Sequence, residues 1–238
     1  MSTILITGAN RGLGLGLVEE YAKDGWKIIA TSRNPNNSDE LLELANKNEN
    51  NIEILQLDVE DLKSISDLSQ VLQNTPIDVL ANVAGYYGKK IVSEPGGLQE
   101  FGSTDYEDWQ RIIKVNIFGP MKICETLINN IELGNDKKII TLSSIIGSIG
   151  GNDQGMMYAY RVSKAGVNAI MRSMAIDLKD KGIICIPLHP GWVRTDMGGP
   201  NADIDTKTSV EGMKRVIDSL SIKDSGRYMV YDGSELPW

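Results

Sequence analysis

The sequence predicts a single-domain α/β fold in which a doubly wound, seven-stranded parallel sheet is flanked by helices. Three observations point to it. Seven short runs rich in Ile, Val and Leu recur along the 238 residues, as expected of strands buried on both faces. Segments of helical period separate them, and such βαβ alternation closes by right-handed crossovers onto a parallel sheet. With 41% hydrophobic and 24% charged residues, the chain can build one substantial core, so residues 1–238 read as one undivided domain.

The elements follow in order. Thr3-Ile4-Leu5-Ile6 opens a first strand over 3–7, and a helix is expected near 12–24. A second strand over 26–31 and a helix near 38–48 lead to the Asn-rich stretch Asn46–Asn51, a solvated loop. Strands over 52–57 and 77–83 enclose a helix near 60–73. Residues 86–104, with Pro95-Gly96-Gly97, read as a longer loop. It leaves the carboxyl end of a strand, where ligands bind in such sheets. One helix over 105–132, a strand over 137–143, a helix over 157–181 and a strand over 183–188 continue the alternation. A Gly-Pro loop, a helix near 207–220 and a strand near 227–231 end it, leaving a brief substrate-covering segment at about 197–225.

Composition narrows the function. A net charge of −8 argues against a nucleic-acid surface, which needs clustered Lys and Arg. No run approaches the ~18 apolar residues of a membrane span. The strand-like start at Ser2 leaves no room for a signal peptide, so a cytoplasmic location is expected. Cys124 and Cys185 lie in apolar stretches and read as buried thiols. No spacing resembles a metal site, and the one histidine, His189, reads as structural.

Two motifs carry chemistry. Thr7-Gly8-Ala9-Asn10-Arg11-Gly12-Leu13-Gly14 stands between the first strand and the first helix. Glycines there admit a tight turn and the close approach of a pyrophosphate to backbone N–H groups, aided by the helix dipole. This makes Gly8, Asn10, Arg11, Gly12, Leu13 and Gly14 candidate cofactor-binding residues. Further along, Tyr160-Arg161-Val162-Ser163-Lys164 sets a phenol and an ammonium one helical turn apart on one face. A free Tyr titrates near pH ~10; an adjacent ammonium is expected to lower that value and make proton transfer feasible.

The TGxxxGxG spacing resembles the short-chain dehydrogenase/reductase family, and further segments agree in the family's order. Leu57-Asp58-Val59 stands where the family places an Asp by the adenine, so Asp58 and Val59 are implied cofactor contacts. Asn82-Val83-Ala84-Gly85 is similar to its NNAG segment, with Val83 for the second Asn, and implicates Asn82, Ala84 and Gly85. Pro190-Gly191-Trp192-Val193-Arg194-Thr195 is similar to PGxxxT. It implies that Pro190, Gly191, Val193 and Thr195 lie by the nicotinamide. Asn116 and Ser144 then complete an Asn–Ser–Tyr–Lys tetrad with Tyr160 and Lys164. Ser144 is favoured over Ser143 because Ser144-x-x-Gly147 matches the family register. In the implied roles Tyr160 is the acid, Lys164 tunes it and bonds the nicotinamide ribose, Ser144 orients the carbonyl, and Asn116 holds a relay water.

An NAD-preferring site of this kind has an acid after the second strand. Here Ala30-Thr31-Ser32-Arg33 has none, and Arg33 with Arg11 would suit the 2′-phosphate of NADP(H). The strings around Tyr160 and from His189 to Gly199, with the ending Tyr231–Trp238, resemble sniffer-like carbonyl reductases and C-factor-type proteins. The implied activity is NADPH-dependent reduction of a small-molecule carbonyl: an aldehyde, a ketone or a quinone-like compound. The competing reading is a signalling protein that binds a dinucleotide. A homodimer or homotetramer through the helices over 105–132 and 157–181 is implied as well. Tyr158, which has no cation four residues on, reads as a wall of the cleft. Trp192 and Met197 border it, while Met156 and Met157 suit either the cleft or the core.

Overall fold

The computed structural model describes residues 1–48 and 51–238. Seven parallel strands form one sheet in the order β3-β2-β1-β4-β5-β6-β7. They are β1 (Thr3–Ile6), β2 (Lys27–Ser32), β3 (Ile52–Gln56), β4 (Val79–Asn82), β5 (Lys138–Leu142), β6 (Ile184–His189) and β7 (Met229–Val230). Seven α-helices join them: α1 (Gly12–Lys23), α2 (Asp39–Lys47), α3 (Leu62–Val71), α4 (Tyr106–Ile113), α5 (Gly119–Leu133), α6 (Tyr158–Asp177) and α7 (Thr206–Ser219).

The strand period of two sorts side chains between two cores. Ile4 and Ile6 of β1 face Leu17, Val18 and Tyr21 of α1 and Met213, Val216 and Ile217 of α7. Leu5 faces the other way, toward Ile65 and Leu68 of α3, Ile123 and Leu127 of α5, and Val167 and Met171 of α6. All residues of β1, β4, β5 and β6 are buried, which explains their unbroken apolar runs.

The bounds differ from expectation where polar groups replace the ladder. The strand expected from residue 77 starts at Val79, because Asp78 is an anchor: its carboxylate accepts from Thr3 N–H at 2.7 Å and Asn135 N–H at 2.7 Å. The helix expected over 157–181 ends at Asp177, and a 3₁₀ turn follows at Lys179–Lys181. The last strand shrinks to two residues. Asn48 ends α2, its side chain donating to Leu44 O at 2.9 Å. Of the loop expected at 46–51, Asn46 and Lys47 instead belong to α2, and residues 49 and 50 lie outside the described residues.

The continuous helix expected over 105–132 is interrupted. A π-helical turn, Lys114–Phe118, separates α4 from α5. Pro120 has no N–H to bond the carbonyl of Asn116, and its ring would crowd that oxygen in a regular α-helix. The wider turn removes the clash and leaves the Asn116 carbonyl without its usual helical partner, a common arrangement at functional sites.

Candidate active site

The central strand β1 has β2 on one side and β4 on the other, so the chain direction divides at its carboxyl end, where a crevice opens. The glycine turn fills this point. Gly8 has φ +67°, and a Cβ there would lie 3.0 Å from Ala84 Cα; a Cβ on Gly14 would lie 2.2 Å from Gly8 O. Thr7 Oγ1 accepts from the N–H groups of Val83 (3.0 Å) and Ala84 (3.1 Å), locking the ends of β1 and β4 together. The N-terminus of α1 carries no acid in its first turn, and its N-cap Arg11 makes no capping bond. Its open N–H groups and dipole would favour an anion there.

Around this turn the sequence-derived residues fall as follows. Asn82 donates to Thr141 Oγ1 at 3.3 Å and Cys124 Sγ at 3.5 Å, tying β4 to β5 and α5; its buried Oδ1 has no partner. Asp58 Oδ1 accepts from Glu60 N–H at 2.9 Å, turning the chain out of β3 toward α3. The Val59 carbonyl lies so close to Gly119 that a Cβ on the glycine would come within 2.7 Å. Arg33 is exposed just beyond β2. Arg11, expected beside the ribose, pairs with Asp196 at 2.8 Å. Both side chains are exposed, so the pair is weak, and a phosphate can exchange for it. Thr195 packs 3.6 Å from the position of a Gly12 Cβ, bringing the segment after β6 over the turn.

The tetrad residues meet at the end of β5. Lys164 Nζ donates to Leu142 O at 2.8 Å and lies 5.5 Å from the Tyr160 ring centroid. It is also near Gly85, 3.9 Å from where a Cβ there would stand. Burial pushes the ammonium down to about 8. The Tyr160 phenol moves the other way: burial raises its pKa well above the ordinary value. Burial thus outweighs the lowering expected from the Lys164 ammonium. The ammonium is bonded to a backbone carbonyl, and enclosure of the ring dominates.

The two serines divide as the register implies. Ser143 is buried and donates to Asn168 Oδ1 at 2.6 Å. Ser144 keeps partial exposure, its Oγ accepting only from Ile146 N–H at 3.3 Å. The side chain of Asn116 is fully committed, accepting from Tyr86 N–H (2.8 Å) and donating to Tyr86 O (2.8 Å) and Ser163 Oγ (3.0 Å). Its carbonyl cannot accept from residue 120, a proline.

The entry to α6 is strained. Gly155, Met156 and Met157 all have positive φ (+68°, +54° and +52°), a conformation that costs a non-glycine residue about 1–3 kcal/mol. Arg161 braces it, donating from Nε to the carbonyls of Gly155 (2.9 Å) and Met156 (3.0 Å). Met157 is buried, resolving its ambiguity toward packing. Tyr158 is exposed and meets Phe101 edge-on, their centroids 6.2 Å apart. Trp192 is anchored through Nε1 to Gly198 O at 2.9 Å.

Two residues of the 86–104 loop were not foreseen. Tyr87 packs against Tyr160 with centroids 4.8 Å apart, its hydroxyl bonding Gly97 O at 2.7 Å and pushed by burial to about 12. Gln99, at φ +49°, accepts from Tyr160 N–H at 3.3 Å and donates to Tyr87 O at 3.0 Å. Neither sits in a motif. Among the described residues, no cluster of His, Cys, Asp and Glu could hold a metal ion, and no helix is long and apolar enough to cross a membrane.

The short chain dehydrogenase family profile matches residues 2–205. The chain belongs to this family. Among its relatives is C-signal of Myxococcus xanthus, 40% identical over 163 residues, covering 68% of this chain and 93% of that protein. A 1-hydroxy-2-glutathionyl-2-methyl-3-butene dehydrogenase of Rhodococcus sp. is 30% identical over the full length of both chains. Among solved structures, the carbonyl reductase Sniffer of D. melanogaster superposes with a TM-score of 0.91 at 35% identity, covering both chains entirely. An NADPH-bound carbonyl reductase from chicken fatty liver gives 0.87 at 30% identity, covering 100% of this chain and 99% of that one. The doubly wound sheet and single-domain architecture are thus those of the family's oxidoreductases.

Proposed function

We propose that the protein is an NADPH-dependent carbonyl reductase acting on an aldehyde, ketone or quinone-like substrate, with Tyr160 as general acid. One observation supports this most: the Tyr160 ring lies 5.5 Å from the Lys164 ammonium, which bonds the end of β5, the strand that leads into Ser144 and its free hydroxyl. A chain of close contacts runs from there through Gly85 and Ala84 to the glycine turn. The cofactor fits the residues present. The turn at the N-terminus of α1 is packed so closely that Cβ atoms at Gly8 and Gly14 would strike the backbone of Ala84 and Gly8, and its helix end carries no acid. Arg33, with no acid beside it at the end of β2, suits a 2′-phosphate.

When bound, NADPH would supply the hydride. Ser144 orients the substrate carbonyl and polarises it through its hydroxyl. Tyr160 delivers its proton to the oxygen as negative charge develops, and Lys164 stabilises the phenolate left behind. Reprotonation would run through Lys164 and a water on the Asn116 carbonyl. The solved structures with NADP or NADPH bound support the cofactor. A cytoplasmic homodimer or homotetramer completes the reading. Exposed Tyr106, Phe118, Val162 and Ile176 on α4, the π turn and α6 favour association through those elements.

The similarity to C-signal over 93% of that protein favours a second reading, a signalling protein that binds a dinucleotide with or without turnover. NADPH oxidation against quinones, dicarbonyls and aldehydes separates the two. Turnover should fall about 10²–10⁴-fold in Tyr160→Phe, with NADPH affinity held. Tight NADPH binding without turnover in the unaltered protein would move the conclusion to signalling.

A further inference from the structure

Behind Ser144 lies a buried polar cluster that the reaction does not use. Tyr228, just before β7, is fully buried. Its hydroxyl donates to the backbone carbonyl of Ser144 and lies 3.5 Å from Ser143 Oγ. Ser143 in turn donates to Asn168 Oδ1 at 2.6 Å and lies 3.5 Å from Lys164 O. Asn168 Nδ2 reaches Gly147 O at 3.3 Å. One cluster therefore holds the turn that carries Ser144 against the helix that carries Lys164. The fit is close: a Cβ on Gly147 would come within 2.8 Å of the Lys164 backbone.

The Tyr228 ring is itself held from the far side. Trp238 stacks on it with centroids 5.5 Å apart and planes 24° from parallel. The Trp238 carbonyl accepts from Gly150 N–H at 2.9 Å and lies 3.4 Å from Ser148 Oγ. The segment after β7 thus returns to the same turn, closing a loop of contacts from Ser144 through Tyr228 and Trp238 to Ser148. A buried hydroxyl finds a partner. Here the partner is the main chain of the one serine whose side chain is left free for a substrate.

We propose that Tyr228 is a positioning residue, acting through the Ser144 carbonyl to fix where the Ser144 hydroxyl stands, with Trp238 as the brace behind it. The proposal rests on the reductase reading only for its effect on rate. The Ser144 carbonyl also accepts from Gly147 N–H at 2.7 Å, so loss of the phenolic bond leaves it partnered and the fold intact. What is lost is the second point that sets its direction. A displacement well under 1 Å is enough to slow a reaction that depends on alignment.

Tyr228→Phe keeps the ring and removes only the hydroxyl, and two measurements on the full chain test it. Amide hydrogen exchange at Ile146 and Gly147 should quicken about tenfold while that of α1 is unchanged; unaltered exchange overturns the proposal. In the NADPH oxidation assay kcat should fall about tenfold with the NADPH Kd within twofold. An unchanged kcat, or an equal loss of NADPH affinity, overturns it too. If the unaltered protein turns nothing over, the reductase reading fails, and the exchange measurement still decides the role of Tyr228. Trp238→Ala should give the same pattern more weakly; a larger loss of kcat than in Tyr228→Phe would place the restraint elsewhere.

Discussion

His189 makes the protein sensitive to mild acid. It is the one histidine in the chain, it ends β6 with little exposure, and its Nδ1 has no partner. Burial, opposed by Asp232 and reinforced by the positive charge of Lys164, lowers its pKa from 6.5 to about 4. Below pH 6.5 the unfolded chain takes up a proton that the folded chain refuses, so stability falls as pH drops from 6.5 through about 4. At pH 7 the effect is about 0.2 kcal/mol; at pH 5 it reaches about 2 kcal/mol. Urea unfolding at pH 7 and pH 5 measures this directly, provided the m-value is constant. His189→Asn cannot titrate in this range and serves as the reference, because the carboxylates are common to both proteins. The unaltered protein should lose about 2 kcal/mol more than the variant over that interval. Equal losses would refute the reasoning.

Other perturbations probe other parts. Arg33→Asp should lower kcat/KM for NADPH about 10–100-fold by placing a carboxylate at the 2′-phosphate while sparing NADH; an unaltered preference would remove Arg33 from the site. Gly14→Ala forces a Cβ to within 2.2 Å of Gly8 O, so NADPH affinity should collapse and stability should fall by about 1–3 kcal/mol. A variant with normal affinity would contradict the described packing. Lys138 is buried and donates to Ile217 O at 2.9 Å and Asp218 O at 3.2 Å, carbonyls in the last turn of α7. Lys138→Met should cost about 2 kcal/mol in denaturant unfolding without touching NADPH affinity.

What the sequence discloses follows from range. The strands and the glycine turn are legible because burial on both faces and positive φ each restrict residue choice locally. Tyr160, Lys164, Ser144 and Gly147 are legible because a helix turn and a short loop fix their separations. The break at 114–118 is not read from the helical pattern, which runs on through it, although Pro120 carries its physical cause. Tyr87, Gln99 and Tyr228 remain hidden, since each acts through a partner more than ten residues away. Lys138 illustrates the same limit. A lysine opening a strand reads as solvated, yet its amine is taken up by a helix end about 80 residues on. The Tyr160 pKa differs from expectation for a related reason. Sequence places a cation near the phenol, while only the packed structure shows Tyr87 against its ring and the ammonium turned to Leu142 O.

The position of β1 has a consequence for how the chain is made. Its two neighbours come from different stages of synthesis: β2 follows it almost at once, whereas β4 is completed only at Asn82. The bonds from Thr7 to Val83 and Ala84, and from Thr3 to Asp78, span 75–77 residues. Until that length has left the ribosome, β1 presents an open apolar edge, the kind of surface that slows folding and invites aggregation. The glycine turn takes its shape from β4 as well as β1. A fragment ending before residue 79 should therefore retain the whole glycine motif and still bind no nucleotide.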